Sequence, residues 1–330
     1  FNIKGQSYLH IFPYNISNSI KIGEDPFYIG LSIDSEFLGF TNSDHLLKVI
    51  NFSSDSKLSE VHIHHTMGFD FIFLHTLIQK AKKSRVAFWL HDLYSVCPNY
   101  FLLRNNVEFC DAPHIDSNSC MICSFYRNRQ ITLPEFSKLF HENEIEIIAP
   151  SEFSINYWKS KTSYRTMDEK IIPHAKLNWH KPRANKKNNP PLNIAFVGSP
   201  VFHKGWEDFK ELSEEFGESG VYNFFLFASE KKNGKFKYVK VSVTKSERHR
   251  MIEELSKHKI DVAVLWSICP ESFSYTMYES LCAGCFIITN PYSGNIQYFI
   301  KKNPEKGKIF RDKEELMVLF QSKQIIEDVA

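Results

Sequence analysis

Along the sequence, short apolar runs that are rich in β-branched and aromatic residues alternate with helical stretches. This alternation is typical of parallel α/β sheets, in which helices connect successive strands. Because 330 residues are many for one hydrophobic core, we predict an α/β protein of two Rossmann-like parallel-sheet domains. The predicted strands are Val61–His65, Val86–Leu90, Ile145–Ala149, Asn193–Gly198, Tyr222–Ala228, Asp261–Trp266 and Phe286–Thr289. The predicted helices are Phe69–Lys83, Ser151–Lys159, Gly205–Phe216, Ser246–Lys257, Ser274–Ala283, Ser293–Lys302 and Lys313–Gln321.

The boundary between the two domains is a polar segment, residues 181–191, which carries three prolines and no periodic apolar residue. Such a composition is typical of a linker. It separates a first domain, residues 1–180, from a second domain, residues 192–330. Because ligands of open α/β sheets bind at the carboxyl ends of strands, we expect the domains to face each other across a ligand-binding cleft.

The composition limits the partners and the cellular compartment. A formal net charge of +2 creates no strong electrostatic field, so we do not expect nucleic acid to bind. No apolar run approaches the roughly 20 residues that a membrane-spanning helix needs. Seven cysteines do not fit a fully paired disulfide scaffold, and they favour a reducing, cytoplasmic location. The chain starts at Phe1 rather than Met, which indicates a piece of a longer, multidomain protein.

Two clusters of basic residues leave the question of membrane contact open. They fit ordinary solvated surface charges, and they also fit a surface attracted to anionic lipid headgroups. On the second interpretation, the protein associates peripherally with the inner face of the cell membrane. The clusters are Lys80, Lys82, Lys83 and Arg85 in the first domain, and Lys231, Lys232, Lys235, Lys237 and Lys240 in the second.

The most informative segment, residues 261–284, combines an apolar strand, a short loop and a helix. Glu271 precedes the predicted helix, and Glu279 lies inside it. Backbone amides at the start of a helix lack acceptors within the helix and attract anions. The segment therefore predicts a site that binds a diphosphate, while the two carboxylates accept hydrogen bonds from sugar hydroxyls. The amides that would bind it belong to Phe273, Ser274, Tyr275 and Thr276.

An earlier segment of the second domain has a similar arrangement. A predicted strand ends at Gly198, Ser199 follows it, and Lys204 precedes Gly205 at the start of the next helix. A lysine at this place can neutralise the charge that develops on a leaving nucleoside diphosphate. Both segments thus predict the same kind of ligand.

These segments resemble glycosyltransferase family 4, whose members have the GT-B fold, and the resemblance covers most of the chain. The E-x7-E signature of the family matches Glu271 and Glu279, and its strand-Gly…Lys-Gly segment matches Gly198 and Lys204. The resemblance implies that Glu279 binds the nucleotide ribose, Glu271 the donor sugar and Lys204 the diphosphate. The chain departs from the family at Ser199, where an arginine is usual.

Histidines end two predicted strands of the first domain. His62, His64 and His65 lie in the first of these segments, and His91 and Asp92 follow the second. The resemblance implies that His91 hydrogen-bonds hydroxyls of the donor sugar and acts in catalysis. An alternative hypothesis is a metal-dependent hydrolase that uses these five side chains as ligands and acid–base groups.

Four cysteines in a loop, residues 97–123, predict a structural site. They are Cys97, Cys110, Cys120 and Cys123, and the last two form a C-x2-C pair. Four thiolates suit a tetrahedral Zn²⁺ ion, which would hold together a loop too polar to pack by itself. A subset of the resembling family has a similar insertion. Free thiols and disulfides are the alternatives.

The resemblance implies a retaining reaction without a protein nucleophile and without a required catalytic metal. Departure of the diphosphate builds positive charge on the anomeric carbon. The acceptor hydroxyl then attacks from the same face, and the leaving phosphate oxygen takes its proton. The expected donor is a nucleoside-diphosphate sugar, and the expected acceptor a glycan or lipid-linked glycan in bacterial surface polysaccharide synthesis. A non-catalytic module that binds sugar nucleotides is the alternative that Ser199 suggests.

Overall fold

A computed structural model describes residues 7–14, 23, 27–52, 60–81, 84–175, 191–244 and 246–329. The chain divides into two compact units. Unit 1 comprises Phe1–Ala149 and Ile155–Ile172, and unit 2 comprises Pro150–Ser154 and Pro173–Ala330. The predicted linker, apart from Pro191, lies outside the described residues, as do Lys82 and Lys83 of the first basic cluster.

Unit 1 contains a parallel sheet in the order β4-β5-β8-β9 and a separate antiparallel sheet in the order β1-β2-β3. Its strands are β1 Leu9–Pro13, β2 Tyr28–Ile33, β3 Glu36–Asn42, β4 Glu60–Ile63, β5 Arg85–Trp89, β6 Leu103–Arg104, β7 Glu108–Phe109, β8 Ile145–Ala149 and β9 Asp168–Ile171. Its helices are α1 Ser43–Phe52, α2 Phe71–Lys80, α3 Asn118–Met121, α4 Tyr126–Glu142 and, shared with unit 2 at its start, α5 Glu152–Lys161.

The core of unit 1 forms around β8, whose residues are all buried. A strand with neighbours on both edges and helices on its faces is mostly apolar, which explains why β8 was predictable. Its one charged residue, Glu146, is buried and pairs with Arg85 and Lys170. Phe136 and Phe140 of α4 and Trp158 of α5 belong to the same apolar cluster. Unit 1 therefore has its own hydrophobic core.

Helix α4 and the antiparallel sheet are absent from the sequence-based prediction. The buried positions of α4 include Arg129 and Thr132, and Pro134 lies inside it, so its apolar period is weak. The antiparallel sheet buries Ile29 but leaves Phe37 and Phe40 more than half exposed. Neither segment shows the apolar periodicity on which the prediction depends.

Unit 2 contains a sheet of parallel strands in the order β12-β11-β10-β13-β14-β15. Its strands are β10 Leu192–Val197, β11 Tyr222–Ala228, β12 Lys237–Lys240, β13 Val262–Val264, β14 Phe286–Thr289 and β15 Gly307–Ile309. Its helices are α6 Trp206–Phe216, α7 Arg250–Lys257, α8 Tyr275–Cys282, α9 Asn295–Lys302, α10 Lys313–Gln321 and α11 Gln324–Val329, with short 3-10 turns at Phe202–Lys204 and Pro304–Lys306.

Two apolar clusters cover the two faces of this sheet. Phe196 packs in the cluster that contains Trp206 of α6, whereas its neighbour Val197 packs in the cluster that contains Met277 of α8. Alternate residues of a strand point to opposite faces, so both faces must be covered by helices. In the part of the chain that the structure describes, no helix is both long and apolar enough to span a membrane.

Candidate functional site

The start of α8 is built by a serine cap. Ser274 is buried, and its hydroxyl accepts a hydrogen bond from the amide of Met277 at 3.3 Å. The same hydroxyl lies 3.2 Å from that of Thr276. Helix geometry provides no carbonyl acceptor for the first amides, those of Tyr275 and Thr276, so the helix start can bind an anion.

Glu271 is held in the loop before α8 by the loop that follows β14. Its amide donates to the carbonyl of Ser293 at 3.4 Å, and its carbonyl accepts from the amide of Asn295 at 2.8 Å. Between them, Gly294 has a φ of 66°, and a Cβ atom at this position would lie 2.5 Å from the amide nitrogen of Glu271. Only glycine fits this close approach and this backbone conformation.

Lys204 comes from the turn after β10 and forms an ion pair with Glu271. The Lys204 side chain is 36% exposed and that of Glu271 is 12% exposed, so the pair is partly withdrawn from water. Gly205, with a φ of 75°, ends the turn, and a Cβ atom there would lie 2.1 Å from the carbonyl oxygen of Trp266. The turn is therefore packed closely against the segment that follows β13.

These residues line a pocket at the carboxyl ends of β10 and β13. Its empty volume, counted together with the solvent open at its mouth, is about 230 Å³. It brings together Lys204, Glu271 and Thr276, three of the predicted site residues. Among the described residues, Glu279 is not part of its lining. The remaining lining residues are Phe196, Val197, Val264, Leu265, Trp266, Ser267 and Ile296.

Three other predicted residues take different positions around this pocket. Gly198 follows β10 with a φ of 110°, and a Cβ atom there would lie 3.1 Å from Cγ2 of Thr276. Ser199 is exposed, whereas Phe273 is buried. The loop after β10 thus lies against the start of α8, as the shared ligand predicted for the two segments requires.

Glu279 lies in the second turn of α8, and its electrostatic state is unusual. Burial raises the pKa of its carboxyl to about 7. A carboxylate that is partly protonated near neutral pH is typical of functional sites, although buried structural groups show the same shift.

His174 is a residue of this region that the sequence-based prediction missed. Its ring lies 5.2 Å from that of Phe273 and 6.1 Å from that of Tyr275, the second in a nearly parallel stack of 14°. Burial lowers its pKa, so the neutral ring is favoured. In the sequence, His174 follows Ile171, Ile172 and Pro173, and the structure places it where the chain enters unit 2.

The histidines predicted as site residues in unit 1 lie at or near the carboxyl ends of β4 and β5. Nδ1 of His64 lies 2.9 Å from Nε2 of His91, and His65 pairs with Asp92 at 2.7 Å. His62 contacts Glu60 at 2.8 Å, outside the predicted set. Within the residues that the structure describes, no three His, Cys, Asp or Glu side chains are grouped so that they could hold a metal ion. This geometry does not favour the metal-dependent hydrolase.

The four cysteines of the 97–123 loop are free thiols in this structure. Cys97 and Cys120 are buried, whereas Cys110 and Cys123 are half-buried. The guanidinium of the buried Arg129 donates to Sγ of Cys120 at 3.1 Å, and burial raises the pKa of Cys97 to about 12. Several apolar side chains of the loop join the core of unit 1, so the expectation that the loop is too polar to pack by itself was wrong. The zinc ion stays a prediction.

Comparisons with known proteins find similar structures but no similar sequences. No known protein family and no curated protein matches the chain by sequence. Among solved structures, a chain of the GtfA/B complex matches with a TM-score of 0.52 and 11% identity, over 90% of this chain and 55% of that one. HepE from Anabaena in complex with UDP-glucose matches with a TM-score of 0.53 and 11% identity, over 86% of this chain and 74% of that one. Sucrose-phosphate synthase from Thermosynechococcus elongatus matches with a TM-score of 0.51 and 13% identity, over 87% of this chain and 70% of that one.

These similarities establish the fold. The neighbours are GT-B glycosyltransferases, and this chain shares their α/β architecture of two Rossmann-like units, which confirms the predicted fold class. The chain spans about half the length of the GtfA/B chain that it matches. The predicted cleft between the domains stays a prediction.

Proposed function

We propose that this chain is a retaining glycosyltransferase that transfers a sugar from a nucleoside-diphosphate sugar to an acceptor hydroxyl. The observation that carries the proposal is the Lys204–Glu271 ion pair, which lines one pocket together with Thr276 at the start of α8. A cation, a carboxylate and helix-start amides are the groups that a diphosphate and an adjoining sugar require. HepE, which has the same fold, was crystallised with UDP-glucose.

The residues of the donor site have separate roles in this proposal. The amides of Tyr275 and Thr276 and the ammonium group of Lys204 bind the diphosphate. Glu271 exchanges its ion pair with Lys204 for hydrogen bonds to hydroxyls of the donor sugar. Glu279 binds the ribose of the nucleotide through its ionised carboxylate.

The surrounding backbone and one residue of unit 1 complete the assignment. Phe273, Ser274 and the Gly198–Ser199 turn shape the diphosphate site, and Ser199 replaces an arginine contact with a hydroxyl. His91 hydrogen-bonds the donor sugar, as the family resemblance implies.

The chemistry follows from where charge develops. As the diphosphate leaves, it gains negative charge. Lys204 and the amides at the start of α8 therefore stabilise the transition state more strongly than the ground state. The acceptor hydroxyl attacks the face that the diphosphate leaves, and a phosphate oxygen takes its proton. Glu271 orients the sugar and forms no covalent bond to it.

The proposal extends to the acceptor and to the location of the protein. A glycan or lipid-linked glycan of bacterial surface polysaccharide synthesis fits the family resemblance, and nucleic acid does not fit the net charge of +2. The exposed lysines of the second basic cluster, which include Lys231 and Lys240, suit contact with anionic lipid at the inner membrane face.

A ligand screen followed by one substitution tests the proposal. We expect one of UDP, GDP, TDP, ADP or CMP to raise the melting temperature of the protein, because a ligand that binds only the native state stabilises it. With the matching sugar nucleotide, Glu271→Ala should abolish transfer while nucleotide binding is kept. Glu305→Ala, at an exposed glutamate of the same unit, is the matched control and should transfer sugar normally. No binding of any nucleotide would refute the proposal, and binding without turnover would favour the non-catalytic module.

A further inference from the structure

Ser151 connects β8 to α5 and belongs, with the rest of residues 150–154, to unit 2. The residue is buried, with 7% of its surface exposed. Its hydroxyl accepts a hydrogen bond from the amide of Ser154 at 3.1 Å. This is the contact with which a serine caps the start of a helix, so a local role in α5 accounts for one contact of the hydroxyl.

A second contact of the same hydroxyl reaches the loop that carries Glu271. Oγ of Ser151 lies 2.7 Å from the carbonyl oxygen of Ser272, which is 121 positions later in the chain. A carbonyl oxygen carries no proton, so the proton of this hydrogen bond comes from Ser151. Oγ of Ser154 lies farther away, at 3.1 Å, and its own hydroxyl donates to the carbonyl of Ser151 at 2.9 Å. Ser151 thus donates to Ser272 while it accepts from Ser154.

Ser272 directly follows Glu271 in the loop before α8. The loop after β14 already holds Glu271, through the carbonyl of Ser293 and the amide of Asn295. Two successive carbonyls, those of Glu271 and Ser272, therefore accept hydrogen bonds from two separate segments of unit 2. Since the rotamers open to a side chain depend on its backbone, these contacts limit where the carboxylate of Glu271 can point.

We propose that Ser151 is a positioning residue that holds the Glu271–Ser272 backbone where the Glu271 carboxylate meets the donor sugar. This inference rests on the proposed function, in which Glu271 binds that sugar. Ser151 acts through Ser272 and Glu271 and is not itself assigned to the substrate. Its expected effect is kinetic, because a displacement of about 1 Å in a site can lower the rate by about 100-fold.

Three substitutions separate this hydrogen bond from the capping of α5. Ser151→Thr keeps a hydroxyl that can donate and accept. Ser151→Ala removes the hydroxyl and lowers stability as a lost cap does, whereas Ser151→Gly removes it with a smaller loss, because glycine is tolerated at a helix start. Asp312→Ala is the matched control, since Asp312 caps α10 of the same unit through the amide of Glu315. Melting temperatures identify the variants that fold and rank their stability.

The first readout is hydrogen exchange at two amides that join the loop before α8 to the loop after β14, and it needs no sugar donor. The amide of Glu271 donates to Ser293, and that of Asn295 donates to Glu271. In Ser151→Ala and Ser151→Gly we expect both amides to exchange roughly 2- to 10-fold faster than in the parent, the change that the loss of one hydrogen bond gives. Ser151→Thr and Asp312→Ala should match the parent. Unchanged exchange at both amides in Ser151→Ala and Ser151→Gly would overturn the proposal.

The second readout is kinetic and uses the donor identified by the ligand screen. We expect Ser151→Ala and Ser151→Gly to lower kcat by a similar factor, roughly 10- to 100-fold, although their stabilities differ. The Kd of the nucleoside diphosphate should change little, because the diphosphate is assigned to Lys204 and to the amides of α8, whose start Ser274 caps. Ser151→Thr should keep most of the parent rate, and Asp312→Ala all of it.

The outcomes distinguish this inference from the proposed function. A loss of kcat in Asp312→Ala equal to that in Ser151→Ala would reduce Ser151 to a structural residue and overturn its positioning role. The parent rate in Ser151→Gly, together with faster exchange, would overturn it too, since the hydrogen bond would then hold the loop without serving Glu271. If the parent transfers no sugar from any donor, the proposed function fails and the role toward the sugar fails with it, whereas hydrogen exchange still decides whether Ser151 holds the loop.

Discussion

At the scale of single residues, Glu279 gives the protein a pH dependence of known sign. Burial raises its pKa to about 7, above the ordinary 4.5 that the unfolded chain retains. The folded state therefore holds the proton more tightly, and the stability it gains from the protonated form is lost as the pH rises from about 4.5 to 7.

Glu279→Gln removes this dependence. We expect the variant to be more stable than the parent at about pH 8, by on the order of 2 kcal/mol, and nearly equal to it at about pH 5. Urea unfolding at both pH values measures the difference, and Glu253→Gln, at an exposed position of α7, is the control. A stabilisation of the same size at both pH values would contradict a raised pKa of Glu279.

The nucleotide affinity of the parent should rise between about pH 5 and pH 8, because the ionised carboxylate of Glu279 is the better acceptor for ribose hydroxyls.

The Lys204–Glu271 ion pair supports a second prediction at this scale. Lys204→Met leaves the carboxylate of Glu271, which is 12% exposed, without its partner. We expect a loss of about 1–3 kcal/mol in the free energy of unfolding, since an unpaired charge remains partly buried. The double variant Lys204→Met with Glu271→Gln should recover part of this loss, because no charge is left unpaired.

Nucleotide binding distinguishes the two variants of this pair. Glu271→Gln should keep the affinity for the nucleoside diphosphate, whereas Lys204→Met should weaken it by about tenfold or more, which corresponds to about 1.4 kcal/mol. Isothermal titration calorimetry measures both affinities. Equal affinities in the two variants would show that Lys204 does not contact the phosphates.

At the scale of elements, the site depends on how closely the loop after β14 approaches Glu271. Gly294→Ala should destabilise the protein by about 2–4 kcal/mol, because it adds a Cβ atom 2.5 Å from the amide nitrogen of Glu271 and strains a φ of 66°. Gly220→Ala is a matched control, since its φ is 70° and nothing lies within 4 Å of the added atom. There we expect only the backbone strain, about 1 kcal/mol. If thermal unfolding shows similar losses of stability in Gly294→Ala and Gly220→Ala, the close approach of Gly294 to Glu271 has no effect on stability.

Several elements of unit 2 were predictable from the sequence with accurate bounds. β11 and β14 begin and end at their predicted residues, because buried parallel strands form nearly continuous apolar runs. α8 is one residue shorter at each end than predicted, since Ser274 caps it and Ala283 ends it. β12 was missed because its lysines suit an exposed edge strand and interrupt any apolar run.

For the site, the sequence predicted a set of residues but not the contacts between them. Lys204 and Glu271 were assigned to different groups of one ligand, and the structure pairs them with each other. Glu279 was expected to bind the ribose and Glu271 the donor sugar, and among the described residues the pocket lining includes Glu271 without Glu279. The position of a residue along a helix determines which face of the helix its side chain lies on. The residues that it contacts depend on the conformation of neighbouring loops, and loop sequences carry no periodic signal.

At the scale of the whole molecule, the alternation of apolar runs with helical stretches predicted the class of fold. It did not predict the order of the strands in each sheet. In unit 2 the chain adds β11 and β12 on one side of β10 and then β13, β14 and β15 on the other. The reversal of direction beside β10 is where ligands of doubly wound sheets bind, and Lys204 and Glu271 lie beside it. Connections between parallel strands are nearly always right-handed, which excludes many strand orders. This rule does not select a single order.

The apolar clusters predict how the whole molecule unfolds. Within the described residues, the cluster that contains Trp158 is confined to unit 1, and those that contain Trp206 and Met277 are confined to unit 2. Since each unit has its own core, we expect two calorimetric transitions rather than one.

A nucleoside diphosphate at about 100 times its Kd should add about 2.7 kcal/mol to the free energy of unfolding of the unit that binds it. Hydrogen exchange should therefore slow in unit 2, around Glu271 and Thr276, more than in unit 1. A single transition would contradict independent unfolding of the two cores, and equal protection of both units would contradict a donor site built from unit 2.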